Sequence, residues 1–176
     1  MKGFLLSIIT FLSAFLISAC VGGSSNVSMV RYTLTDDIGS EALSSLNDVR
    51  VKLYGAINEN AVVIQLSPVE IRPASSHLWN GKLSDQLALI MSDLMLKEGL
   101  AHDLHADIFV TKFYGSLSGE VTIDAFFKVS RGNKILVAQN FNFHDRQLEP
   151  GYSALVMLLK KGWTSICLQA LQMAKE

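Results

Sequence analysis

The run EVTIDAFFKV, residues 120–129, limits the possible folds more than any other stretch of the chain. Val121, Ile123, Ala125, Phe127 and Val129 alternate with Glu120, Thr122, Asp124 and Lys128, and only Phe126 breaks the polar series. Side chains of a strand point alternately to opposite faces, so this pattern requires a sheet with one buried and one wetted face. The turn-like Arg131-Gly132-Asn133 follows, and then KILVAQNFNF (134–143), where Ile135, Val137, Phe141 and Phe143 alternate again. The two runs predict an antiparallel hairpin, with ADIFVTKFYG (106–115) pairing beside it.

A sheet wetted on one face needs a layer over the other. NGKLSDQLALIMSDLMLKEG (80–99) places Leu83, Leu87, Ile90 and Leu94 on one helical face and stops at Gly99. After Pro150-Gly151, residues 152–175 predict a second helix, with Tyr152, Leu155, Val156, Leu159, Trp163, Ile166 and Met173 on a broad apolar face. Upstream, RYTL (from Arg31), VRVKLYGAI (49–57) and AVVIQLS (61–67) read as strands. Asn58-Glu59-Asn60 separates the last two, and Pro68 interrupts before VEIR. The expected fold is α+β: a single domain in which an open antiparallel or mixed β-sheet packs against two main α-helices.

The N-terminus carries a different message. Lys2 precedes an apolar run from Gly3 to Ile17, the pattern of a secretory signal, too short for the roughly 20 residues of a membrane span. The run closes on Ile17-Ser18-Ala19-Cys20, which resembles the bacterial lipobox. That resemblance implies cleavage before Cys20, a diacylglyceryl group on its thiol, and a further acyl chain such as palmitate on its amino group. Stable anchoring takes two chains at roughly 0.8 kcal/mol per buried methylene, and such a cysteine exceeds that. Val21 rather than aspartate follows, which favours the outer membrane and a domain on its periplasmic face. The expected division is a signal peptide over 1–19, the lipidated cysteine and a flexible tether over 20–30, and one domain over 31–176. Ten tether residues span at most about 35 Å.

Composition narrows the partners. The mature chain has the length of one domain, its formal charge is near neutral (−1 with the signal included), and Lys160-Lys161 is the only basic doublet. Neither nucleic-acid binding nor a polybasic membrane patch is expected. No second apolar run reads as long enough to span a membrane. With Cys20 acylated, Cys167 has no disulfide partner and reads as a small buried hydrophobe.

Candidate chemistry is sparse. GSLSG (115–119) has the glycine spacing of a nucleophile elbow, but Leu117 stands where the serine belongs, and the stretch joins two strands rather than a strand and a helix. His102, His105 and Asp107 form the most metal-like cluster, yet in a connecting segment. His144-Asp145 has the look of an orienting pair without a third member. With no CxxC and no glycine-rich phosphate loop, the chain is expected to be no enzyme and to hold no metal or cofactor. Leu89 and Leu96 lie off the main face of the first helix, as do Leu158 and Leu168 on the second. These four are either buried on a second side or an apolar surface for a partner or another copy. Phe109, Phe113 and Phe127 either line a ligand pocket between sheet and helices or belong to the core.

Several segments, in this order, resemble the PqiC/YmbA-type auxiliary lipoproteins of ABC-type transport systems. They are the Tyr32-Thr33-Leu34 strand soon after Cys20, AVVIQLSPVEIRPASSHLW with Trp79 leading to Leu83, ADIFVTKFYGSLSGEVTIDAFFKV, and the closing GYSALVMLLKKGWTSICLQALQMA. Between Trp79 and Leu83 the chain departs from the family's Ala-Glu-Pro-like run with Asn80-Gly81-Lys82. The resemblance implies a non-catalytic outer-membrane lipoprotein that docks a conduit of MCE-domain proteins and self-assembles, in a lipid-transport system supporting membrane integrity.

Overall fold

The computed structural model describes residues 28–101 and 103–176. Cys20 and the signal lie outside the described residues, as does His102. The strands are β1 (Val30–Tyr32), β2 (Val49–Leu53), β3 (Ala61–Ser67), β4 (Glu70–Trp79), β5 (His105–Ser116), β6 (Glu120–Arg131) and β7 (Lys134–Arg146). Helix α1 (Leu83–Lys97) lies between β4 and β5, and α2 (Tyr152–Met173) closes the chain. Among the described residues the expected α+β architecture is what forms: an open mixed sheet of seven strands and two α-helices.

The hairpin β6–β7 is antiparallel over its whole length, and β5 pairs antiparallel with the other edge of β6. Burial along β6 alternates with period two, so the polar series faces outward as the pattern requires. The main path through the sheet is β1-β4-β3-β5-β6-β7. β2 and β3 both run parallel to β5 on its remaining edge. β2 takes Ala106–Val110, and β3 takes Gly115 and Ser116.

Two expectations upstream are corrected by this arrangement. The strand expected over 49–57 ends at Leu53, because Gly55–Asn58 forms a 3-10 turn that buries Ile57 and carries the chain from β2 to β3. The short VEIR strand extends to Trp79, with β4 bulged between its pairings Pro73↔Val63 and Leu78↔Ala61. A 3-10 segment over Ser40–Asp48 was not legible in the sequence. It is docked on α1 through Ser92, whose buried hydroxyl donates to the Ala42 carbonyl.

Both helices supply the buried layer. Leu83, Leu87, Ile90 and Leu94 are buried as expected, joined by Met91 and Met95. Gly99 adopts φ +69°, the left-handed geometry that ends a helix without a Cβ penalty. On α2, Leu155, Val156, Leu159, Trp163 and Ile166 are buried, but Met173 is 41% exposed and its sulfur only accepts a hydrogen bond from Gln139. In the last turn the buried positions are Ala170 and Leu171, followed by Ala174, and Met173 lies at their edge. Helix α2 also meets the length and hydropathy of a membrane span, which corrects the expectation of no second such run. Half of that window is buried against the sheet and α1, and Lys160 and Lys161 sit mid-helix, so here it is a core helix.

The approach of α2 to β7 depends on Gly162, where a Cβ would overlap the ring of Phe143. Gly162→Ala is expected to destabilise the domain by about 1–2 kcal/mol. Overpacking costs roughly 1–3 kcal/mol, and the better helix propensity of alanine returns up to about 1. Urea denaturation followed by circular dichroism checks this, and an unchanged or higher midpoint would show that the ring moves aside freely.

Candidate functional site

Parallel pairing of β3 with β5 brings three connections to one end of the sheet: Pro68-Val69 between β3 and β4, Leu117-Ser118-Gly119 between β5 and β6, and residues 147–151 between β7 and α2. Each presents one large apolar side chain to solvent. Val69 is 96% exposed, Leu117 74% and Leu148 101%. Single exposed apolar residues are ordinary, but three on separate tips at one end are not.

The backbone of these tips is held by local hydrogen bonds. The Leu117 N–H donates to the Gln65 carbonyl (3.3 Å) and the Gln147 N–H to the Gly119 carbonyl (2.8 Å). The Gln147 side chain donates to the carbonyls of Glu149 and Gly151, and Arg146 donates to the carbonyl of Ser118 (3.3 Å). The turns are thus braced while their leucines point out. Between them opens a groove of about 450 Å³, walled by Ile64, Leu117, Leu148, Pro150, Tyr152 and Leu155.

The groove abuts a stacked pair that connects α2 to β4 and, through it, to β1. Tyr152 stacks on His77 of β4 at 3.7 Å between ring centroids, and the His77 Nδ1 lies 3.0 Å from the Tyr32 hydroxyl on β1. Just beyond β1, the Leu34 N–H donates to the buried Gln86 side chain of α1 (2.7 Å), which in turn donates to the Asn80 carbonyl. Lys160 of α2 contacts both Asp36 and Asp37. Desolvation works against the Lys160 charge, but hydrogen bonds to the two carboxylates outweigh it and hold its pKa above the ordinary value. The segment from Tyr32 to Asp37 is therefore fastened to both helices.

The other candidates are scattered. Leu158 and Leu168 are half-buried and pack against the rim of the core, while Leu89 and Leu96 are half-buried on the flank of α1. His105 begins β5 and pairs with Asp48 at 3.2 Å, and Asp107 pairs with Arg50 at 2.8 Å. Among the described residues no three His, Cys, Asp or Glu side chains converge as a metal site would require. Ser118 lies in the β5–β6 hairpin turn with its hydroxyl on Ser116. His144 stands on β7 beside Thr122 and Asp124. Cys167 is fully buried, and desolvation pushes its thiol well above the ordinary range, so it is a poor nucleophile.

Phe113 and Phe127 are core residues around Trp163, not pocket walls. Phe109 is on the opposite face. A register shift between Val110 and Lys112 lets Phe109 point outward toward Tyr54 and Phe126 while Phe113 points in. The pocket grouping of the three phenylalanines does not form, because a bulge between them reverses the alternation.

The apolar tips were missed in the sequence. Their only signal was a lone large apolar residue inside each turn: Val69 after Pro68, Leu117 between two serines, Leu148 before Glu149-Pro150.

The comparisons agree with this geometry. The family model for the ABC-type transport auxiliary lipoprotein component matches residues 32–170. A crystal structure of an uncharacterized protein superposes with a TM-score of 0.68 at 20% identity, covering 81% of this chain and 95% of that one. A Xanthomonas campestris protein of the DUF330 family superposes with a TM-score of 0.61 at 13% identity, covering 71% of this chain and 81% of that one. At these identities the likeness shows a shared fold. No curated protein sequence matches. The match begins at Tyr32, the β1 residue whose hydroxyl meets His77, and ends in the helix that closes the core, and the chain belongs to the family of ABC-type transport auxiliary lipoprotein components.

Proposed function

We propose that this protein is a non-catalytic subunit of a lipid-transport system, anchored through Cys20 in the outer membrane with its domain in the periplasm. It docks a conduit of MCE-domain protein at that membrane and so supports membrane integrity. The observation that carries this reading is the family match over residues 32–170 of a chain whose signal ends on the lipobox-like Ile17-Ser18-Ala19-Cys20. Leu89 and Leu96, half-buried on the flank of α1, and the more enclosed Leu158 and Leu168, are the proposed contacts with the conduit or with further copies. A ring of tethered copies multiplies weak contacts, since each bound copy raises the effective concentration of the next.

The groove beside Tyr152 and Leu155 favours a second reading, a periplasmic lipoprotein that binds a lipid or small ligand. In vivo photo-crosslinking from Leu89 and Leu96 of the full-length protein distinguishes the two. Docking predicts adducts with an MCE-domain protein or a second copy. Adducts with lipid alone would replace docking by the carrier reading.

A further inference from the structure

We infer that the end of the sheet bearing Val69, Leu117 and Leu148 rests on the bilayer, with these side chains inserted among phospholipid acyl chains. The inference rests on the anchoring of Cys20 and adds an orientation to it. β1 runs parallel to β4, with Val30 opposite His77 and Tyr32 opposite Trp79, and β4 itself runs away from the tips. The described chain therefore enters the domain at β1 travelling away from that end. β3 spans the same interval, from Ala61 opposite Leu78 to Ser67 at the tips, roughly 20 Å at about 3.3 Å per residue. Ten residue-to-residue steps lead from Cys20 to Val30 and reach about 35 Å, so the acylated cysteine can lie in the plane of the tips.

The chemistry of the tips fits lipid better than protein. The apolar side chains stand on three separate turns with polar neighbours between them, such as Ser118, Gln147 and Glu149. A protein interface instead concentrates its energy in a contiguous, fully desolvated centre. Two ion pairs stand at this end, Glu70 with Arg72 (2.9 Å) and Asp145 with Lys161 (3.4 Å), and Glu120, Arg146 and Glu149 beside them add no excess of positive charge. Attraction to the surface is therefore apolar, and neutral phospholipid suffices. The opposite end differs: its β6–β7 turn carries Arg131 and Lys134, with the half-exposed Ile135 beside them.

The test places single cysteines at Val69, Leu117, Leu148 and, as control, Ile135 in the full-length lipidated protein, each carrying an environment-sensitive fluorophore. The Cys20 thiol is acylated and Cys167 is buried, so neither competes for label. In phosphatidylcholine vesicles containing brominated acyl chains, the tip labels should be quenched by lipid and protected from aqueous iodide, and the label at 135 should behave oppositely. Iodide access at all four positions would overturn the inference. So would protection of the tips without quenching by lipid, which would place a protein or a second copy there.

A second measurement does not depend on the anchor. A mature chain over residues 20–176 bearing Cys20→Ala retains the entire core, and its partitioning onto the same vesicles should fall roughly tenfold for each of Leu117→Ser and Leu148→Ser. Unchanged partitioning overturns the inference whatever the state of Cys20. If instead the wild-type protein fails to float with vesicles while the leucine effect persists, the anchor fails and the orientation stands.

Discussion

Trp163→Ala is expected to lower the stability of the domain by about 3–5 kcal/mol, the range for deleting a buried tryptophan. Trp163 is completely buried at the meeting of the sheet and both helices. Its ring lies 5.7 Å from that of Phe127 and 6.3 Å, edge-on, from that of Phe113, and Phe113 in turn contacts Trp79. Its indole N–H donates to the Leu87 carbonyl at 3.0 Å, a buried bond that ties α2 to α1. Alanine would leave a cavity bounded by all three elements, and none can close it without moving the others. Domains of this size have roughly 5–15 kcal/mol in total, so most of the margin would be lost. Urea denaturation followed by circular dichroism should show the midpoint falling by about 2 M. Trp163→Phe keeps most of the ring and loses the hydrogen bond, and a smaller fall of about 1–2 kcal/mol is expected. Equal losses in the two variants would show that the hydrogen bond, not the packing, dominates.

Cys20→Ala is expected to remove the protein from the outer membrane while leaving the domain folded. The two or three acyl chains of the proposed lipidated cysteine would supply the holding energy at about 0.8 kcal/mol per buried methylene, far beyond what three inserted side chains could provide. The domain is expected to tolerate the change, because among the described residues its buried cluster begins at Leu34. Without the cysteine the signal is not cut, and Gly3–Ile17 would hold the chain at the inner membrane, so total membrane association is the wrong readout. The decisive measurements are the intact mass, which should lack acyl chains, and the outer-membrane fraction, which should be empty of protein. A companion chain with a cleavable signal and no cysteine should be soluble in the periplasm and melt at the wild-type temperature. Membrane integrity preserved by that soluble chain at normal abundance would refute the docking reading.

The hairpin β6–β7, the stop at Gly99 and the main faces of both helices were readable in the sequence because each is written in a local period or a single special residue. Val121 to Val129 alternate, and Leu83, Leu87, Ile90 and Leu94 repeat every three to four residues, whatever the rest of the chain does. The 3-10 turn over Gly55–Asn58 was not readable, since an apolar residue such as Ile57 at a strand-like position gives the same letters in either state. Met173 failed for a related reason: its spacing fits the apolar face, but in the last turn the buried positions are Ala170 and Leu171, followed by Ala174, which leaves Met173 at their exposed edge.

By itself the sequence offered Cys20 as a cysteine expected to carry lipid, and it determined a half-wetted sheet with two apolar helices to cover it. These follow from covalent chemistry and from periods of two and 3.6, which need no partner segment to be stated. Only the tertiary structure decided that β2 and β3 share one edge of β5, and that a bulge sends Phe109 out and Phe113 in. It alone brought Val69, Leu117 and Leu148 to the same end. Those outcomes depend on pairing between segments tens of residues apart, and a shift of one residue in register would turn each side chain to the other face.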